Sequence, residues 1–82
     1  MRLPRDLSGD GLAKSLGDFG YQVVRQSGSH VRLMTMQQGE HHVTVPRHDA
    51  LRIGTLAGIL SDVADHFGIT RDDVAARLFG EG

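Results

Sequence analysis

The chain has 82 residues, 39% of them hydrophobic and 23% charged, with 11 Gly, 2 Pro, no Cys and a formal net charge of −1. That length holds a single domain over one modest core, and the absence of Cys excludes disulfides, thiolate chemistry and Cys-based zinc sites. Apolar runs are too short for a membrane span or signal-peptide core, and the chain is not broadly basic; a soluble cytoplasmic domain with only local nucleic-acid contacts is expected.

Leu12, Leu16 and Phe19 recur at helical spacing after Ser8-Gly9-Asp10-Gly11. Ser8 is the expected N-cap and Gly20 the left-handed terminator. Gly9, Gly11 and Gly17 make this a weak helix by propensity, so packing must hold it. Three short runs follow. Tyr21–Gln26 alternates Tyr21 and Val23 against Gln22 and Val24. Ser29–Met36 sets Val31, Leu33 and Thr35 against His30, Arg32, Met34 and Met36, and His41–Val45 sets Val43 and Val45 against His42 and Thr44. Turn signals at Ser27-Gly28 and Gln37-Gln38-Gly39 join them, and Pro46 ends the third, which predicts an antiparallel meander.

Residues 47–53 read as a loop into a strong helix with Leu56, Ile59, Leu60, Val63 and Phe67 on one stripe. Gly54-Thr55 is the expected cap and Gly68 the stop. Thr70-Arg71-Asp72-Asp73 resembles a capping box and opens a last short helix, about 71–79, carrying Val74, Leu78 and Phe79. The order α-β-β-β-α, with the extra C-terminal helix, predicts an α+β two-layer sandwich in one domain spanning 1–82. Its helices lie on one face of the sheet, as in the double-stranded-RNA-binding fold.

Four pieces stand in order along the chain: a short helix ending in Gly20-Tyr21, Gly28-Ser29-His30 at a strand start, Val45-Pro46-Arg47-His48, and Gly54-Thr55-Leu56-Ala57-Gly58-Ile59-Leu60. Together they resemble the HicA family of toxin ribonucleases, mRNA interferases of bacterial toxin–antitoxin pairs, from about Ser8 to Ile69. The C-terminal helix extends past the matching part. The resemblance implies an endoribonuclease acting on mRNA without cofactor or metal, a HicB-type antitoxin as partner, and oligomerisation through that antitoxin. It also implies that His30 is the catalytic histidine.

The residues support that role independently. An imidazole, with an ordinary pKa of about 6.5, moves protons near neutrality, and RNA brings its own nucleophile in the 2′-OH. His30 shares a strand face with Arg32, which can face the charge that develops on the phosphate. Eight of the nine cations are Arg, the residue suited to bidentate phosphate contacts. Arg25, Arg32, Arg47 and Arg52 are phosphate candidates, and Ser29, Arg32, Arg47, His48 and Arg52 are the expected substrate contacts. His41 and His42 point to opposite faces and do not fit one metal ion. Two other readings remain at this level: a non-catalytic RNA-binding module of the same fold, and a protein-interaction adaptor.

Overall fold

The computed structural model describes residues 3–80. Helix α1 (Gly9–Ser15) and a 3₁₀ turn (Leu16–Phe19) lead into strands β1 (Gln22–Ser27), β2 (His30–Thr35) and β3 (His41–Pro46). Helices α2 (Ile53–Phe67) and α3 (Arg71–Phe79) complete the chain, giving the expected α+β order. The sheet is antiparallel in the order β1-β2-β3, so β2 is central and both other strands are edges.

Capping chemistry sets most of the boundaries. Ser8 Oγ accepts the Gly11 N–H at 2.9 Å, and Gly20 closes the 3₁₀ turn at φ +82°, a conformation that favours glycine. Thr70 and Asp73 form a reciprocal capping box at the start of α3. The start of α2 departs from expectation. Its N-cap is Arg52, in extended backbone and without a side-chain cap bond, while Gly54 and Thr55 lie inside the first turn. The reason lies one residue earlier: Leu51 is buried and its N–H donates to the Leu7 carbonyl, which fixes where the loop stops and the helix begins.

Below the sheet, Leu12, Leu16, Phe19, Val31, Leu33, Val45, Leu56, Leu60, Val63 and Val74 are essentially inaccessible. Full burial of a Leu, Val or Phe side chain contributes about 1.5–3 kcal/mol each, so this one layer carries the fold. Ile59 and Phe67, read as stripe residues of α2, sit half-buried at its margin. Thr35 is the one buried polar side chain among the core positions. Its hydroxyl donates to the Phe19 carbonyl at 2.9 Å and accepts the Gln37 N–H at 3.1 Å, so it is satisfied. Cover is uneven. α1 and α2 both pack against β3, whereas every residue of β1 is exposed, including Val23 and Val24.

Two contacts lock the layers together at opposite ends. At the N-terminus of α1, Gly9 is buried and its N–H donates to the His48 carbonyl at 2.9 Å. A Cβ there would collide with the Pro46 carbonyl, so only glycine permits this approach of helix and strand. At the other end, Tyr21 Oη donates to His41 Nδ1 at 2.7 Å, and His41 Nε2 faces Asp62 of α2 at 3.4 Å. The His41 ring stacks on His66 with centroids 4.4 Å apart, and His66 Nε2 donates to the Gln37 carbonyl. The C-terminal helix is fastened by Arg77, whose guanidinium lies 4.6 Å from the Phe19 ring centroid and donates to the Asp18 carbonyl.

Replacing Gly9 with Ala is expected to destabilise the fold by about 1–3 kcal/mol, the usual range for overpacking against a backbone that must shift; denaturant unfolding checks this. A second prediction concerns alkaline pH. Burial, and then the charge of Asp62, push the Tyr21 phenol up to about 12 from an ordinary 10. The folded state therefore holds this proton more tightly than the unfolded chain. The associated stability is fully present below pH 10 and is lost as pH rises from 10 towards 12. Unfolding curves across that window should fall by an amount on the order of 2 kcal/mol in the wild type, and less steeply in Tyr21→Phe.

Candidate active site

His30 opens β2 directly after the Ser27–Ser29 turn, and its side chain is exposed. Its register partners are Ser27 on β1 and Pro46 on β3. Because Val31, Leu33 and Thr35 are buried, the two-residue period of the strand sends His30, Arg32 and Met34 to the opposite, uncovered face. The neighbouring Ser29 Oγ lies 3.4 Å from His30 Nδ1. The imidazole is thus presented to solvent at one corner of an open sheet, with its Nε2 edge unengaged among the described residues.

Arg32 lies two residues further along the same face. Its Nε donates to His42 Nδ1 at 3.4 Å, and His42 Nε2 donates to Glu40 Oε2 at 2.9 Å. This chain of contacts fixes the His42 ring and holds one edge of the guanidinium, leaving its two terminal nitrogens for another acceptor. His41, the next residue in sequence, points the other way, into the Tyr21–Asp62–His66 contacts under the sheet. No group of three or more metal-binding side chains occurs among the described residues.

Arg47 belongs to the same end of the molecule by its backbone. Its N–H donates to the Ser29 carbonyl at 2.6 Å, adding a rung to the β2–β3 ladder beyond the His30–Pro46 pair. That rung alternates again, so the Arg47 side chain leaves on the helix side of the sheet. There it forms a two-pronged ion pair with Asp10 on α1, Nε to Oδ1 at 3.0 Å and Nη2 to Oδ2 at 3.2 Å. The hydrogen bond from Asp10, and then its charge, raise the guanidinium's pKa further, so Arg47 is a permanent cation at this corner. His48 follows with an exposed side chain and a carbonyl held by Gly9. Arg52 stands apart at the N-cap of α2, exposed and touching none of these groups.

Of the residues expected at the site, Ser29, His30 and Arg47 are joined at one corner and Arg32 shares the face of His30. His48 is linked through its backbone, and Arg52 is not part of the cluster. Three participants are not among the expected site residues: Asp10, Glu40 and His42. Glu40 and His42 are two residues apart on the edge of β3, so their pairing has a sequence signal in the i, i+2 spacing. Asp10 has none, because 37 positions separate it from Arg47.

A family model described as the HicA toxin of bacterial toxin–antitoxin matches residues 9–64, more than half of the chain and every element from α1 into α2. No curated protein and no solved structure matches the chain.

Proposed function

The chain belongs to the HicA toxin family, and from that premise we propose that it is an endoribonuclease that cuts mRNA with His30 as its acid–base group. The observation that carries this reading is an exposed imidazole at the corner of an uncovered sheet face, with the Arg32 guanidinium two residues along that face. A flat, open face admits a flexible polymer, and an unengaged Nε2 edge can reach a ribose hydroxyl.

In the proposed reaction, His30 takes the proton of the 2′-OH, and the 2′-oxygen attacks the adjacent phosphorus. A bond forms between phosphorus and the 2′-oxygen while the bond to the 5′-oxygen of the next nucleotide breaks. The cut therefore leaves a 2′,3′-cyclic phosphate and a 5′-hydroxyl, and the leaving oxygen takes its proton from water or from a second group. Arg32 is placed to face the charge that accumulates on the phosphate. Arg47 flanks the same corner from the helix side and the exposed His48 follows it; Arg47 reaches a phosphate by exchanging Asp10 for it, since an exposed ion pair is held only weakly. Arg52 contacts the polymer farther along its path. As a toxin of a toxin–antitoxin pair the protein has an antitoxin partner, which we propose is of the HicB type and inhibits by covering this face.

The test is induced expression of the wild type beside His30→Ala, with primer extension on cellular mRNA. His30→Ala is expected to lower cleavage by roughly 10²–10⁴-fold, the usual contribution of a positioned acid–base group, and to relieve growth inhibition while the circular dichroism spectrum is unchanged. Undiminished cleavage by His30→Ala would sink the assignment. A wild type that binds RNA but never cuts it would point instead to a binding module of the same fold.

A further inference from the structure

Strand β1 contains a bulge. Gln22 pairs with Met34 and Val23 with Leu33, but the next pair is Arg25 with Arg32, leaving Val24 as the extra residue. Simple alternation from Val23 places Arg25 on the helix side of the sheet. The bulge reverses this, because cross-strand partners share a face and Arg32 faces outward beside His30. After the bulge, Gln26 pairs with Val31 on the inner side and Ser27 with His30 on the outer.

Burial does not account for the reversal. All six residues of β1 are exposed, Gln26 on the inner side included, so an arginine at position 25 is tolerated on either face. What the bulge changes is only which neighbours the guanidinium meets. It places Arg25 directly opposite Arg32: two like charges as register partners on adjacent strands, an arrangement that opposes folding unless something anionic lies between them. Among the described residues no carboxylate is paired with either guanidinium. Arg25 makes no hydrogen bond or ion pair among the described residues, and the contact made by Arg32 is with the His42 ring Nδ1. A local conflict of this kind on an open face, next to an exposed imidazole, is the type of position where a functional contact is expected.

We infer that Arg25 joins Arg32 in a two-guanidinium clamp on the RNA backbone, with Arg32 bridging the scissile phosphate at His30 and the next one and Arg25 closing on that next phosphate, and that the bulge at Val24 aims Arg25 into it. The clamp rests on the nuclease reading above and adds to it the course of the substrate on one side of the scissile phosphate, across β2 onto β1. Arg25 is on this account a substrate-binding residue, and its contribution depends on the face it occupies, not on its charge alone.

A charge-neutral exchange tests this. Binding of a short labelled single-stranded oligoribonucleotide is measured by salt titration in the His30→Ala background, which keeps the RNA intact. Arg25→Gln is compared with the double variant Arg25→Gln/Gln26→Arg, which moves the guanidinium one residue along and onto the other face. Gln26→Arg alone, checked by circular dichroism, shows that an arginine is accepted there. Both Arg25→Gln and the exchange should weaken binding by roughly three- to tenfold at low salt and flatten the salt slope by about 0.7, the signature of one phosphate contact on a single strand. Full affinity in the exchanged variant means that charge alone matters, and it overturns the clamp. So does wild-type affinity in Arg25→Gln. If the His30→Ala protein itself fails to bind RNA, the nuclease reading falls and takes the clamp with it.

Discussion

Val31, Leu33 and Thr35 lie under the helices with almost no exposure, and the two-residue period of a strand then obliges His30, Arg32 and Met34 to face away from them. The candidate site has no other anchor. It sits on a turn and on a surface that no helix covers, so its geometry is inherited from the register of β2 between two edge strands. A slip of one residue would turn the imidazole and guanidinium into an apolar layer and bring Val31 and Leu33 out, at a large loss of buried area. The apolar core therefore acts at a distance on the chemistry: its three inward side chains hold the polar face in place without touching it.

Register fixes the face, and the close approach at Gly9 fixes the corner. The loop after β3 would otherwise be free to swing, since none of Arg47, His48, Asp49 or Ala50 is buried. Instead the Gly9 N–H, the Ser29 carbonyl and the Leu7 carbonyl each hold one backbone group of this segment. Arg47 is brought beside the Gly28 turn by backbone bonds alone, which leaves its side chain to exchange partners. Asp10 then serves as its partner in the free protein, keeping a permanent cation satisfied at an exposed position. The arrangement separates two tasks, with the backbone supplying position and the side chains supplying replaceable contacts.

The fold was largely legible in the sequence because its signals are local. Alternation named the inward residues of β2 and β3, Ser8 and Thr70 announced helix starts, and Gly20 and Gly68 announced stops. Arg52 at the N-cap of α2 was not legible, since the boundary is set by burial of Leu51 against another segment rather than by a capping side chain. The site was legible only in part. His30 and Arg32 follow from alternation, and His41 and His42 are correctly divided between the two faces. The Asp10–Arg47 pair depends on tertiary approach, and the position of Arg25 depends on an inserted residue that leaves no mark in the hydrophobic pattern of an entirely exposed strand.

On the proposed nuclease reading, these features are how a chain with a net charge of −1 would address a polyanion. Nonspecific attraction by a uniformly basic surface is not available to it, and the segment from residue 57 onward carries an acidic excess. What it has is guanidinium placed by geometry: Arg32 by strand alternation, Arg25 by a bulge, Arg47 by a backbone rung. Contacts of this kind depend on where a phosphate sits, and long-range charge contributes little to them, because screening in physiological salt limits it to about 8 Å. On that reading, recognition rests on the fit of a few phosphates to the sheet. An antitoxin covering that one face, as proposed, would remove the imidazole and two of the three guanidiniums at once, so a small area of contact would suffice to switch the proposed site off.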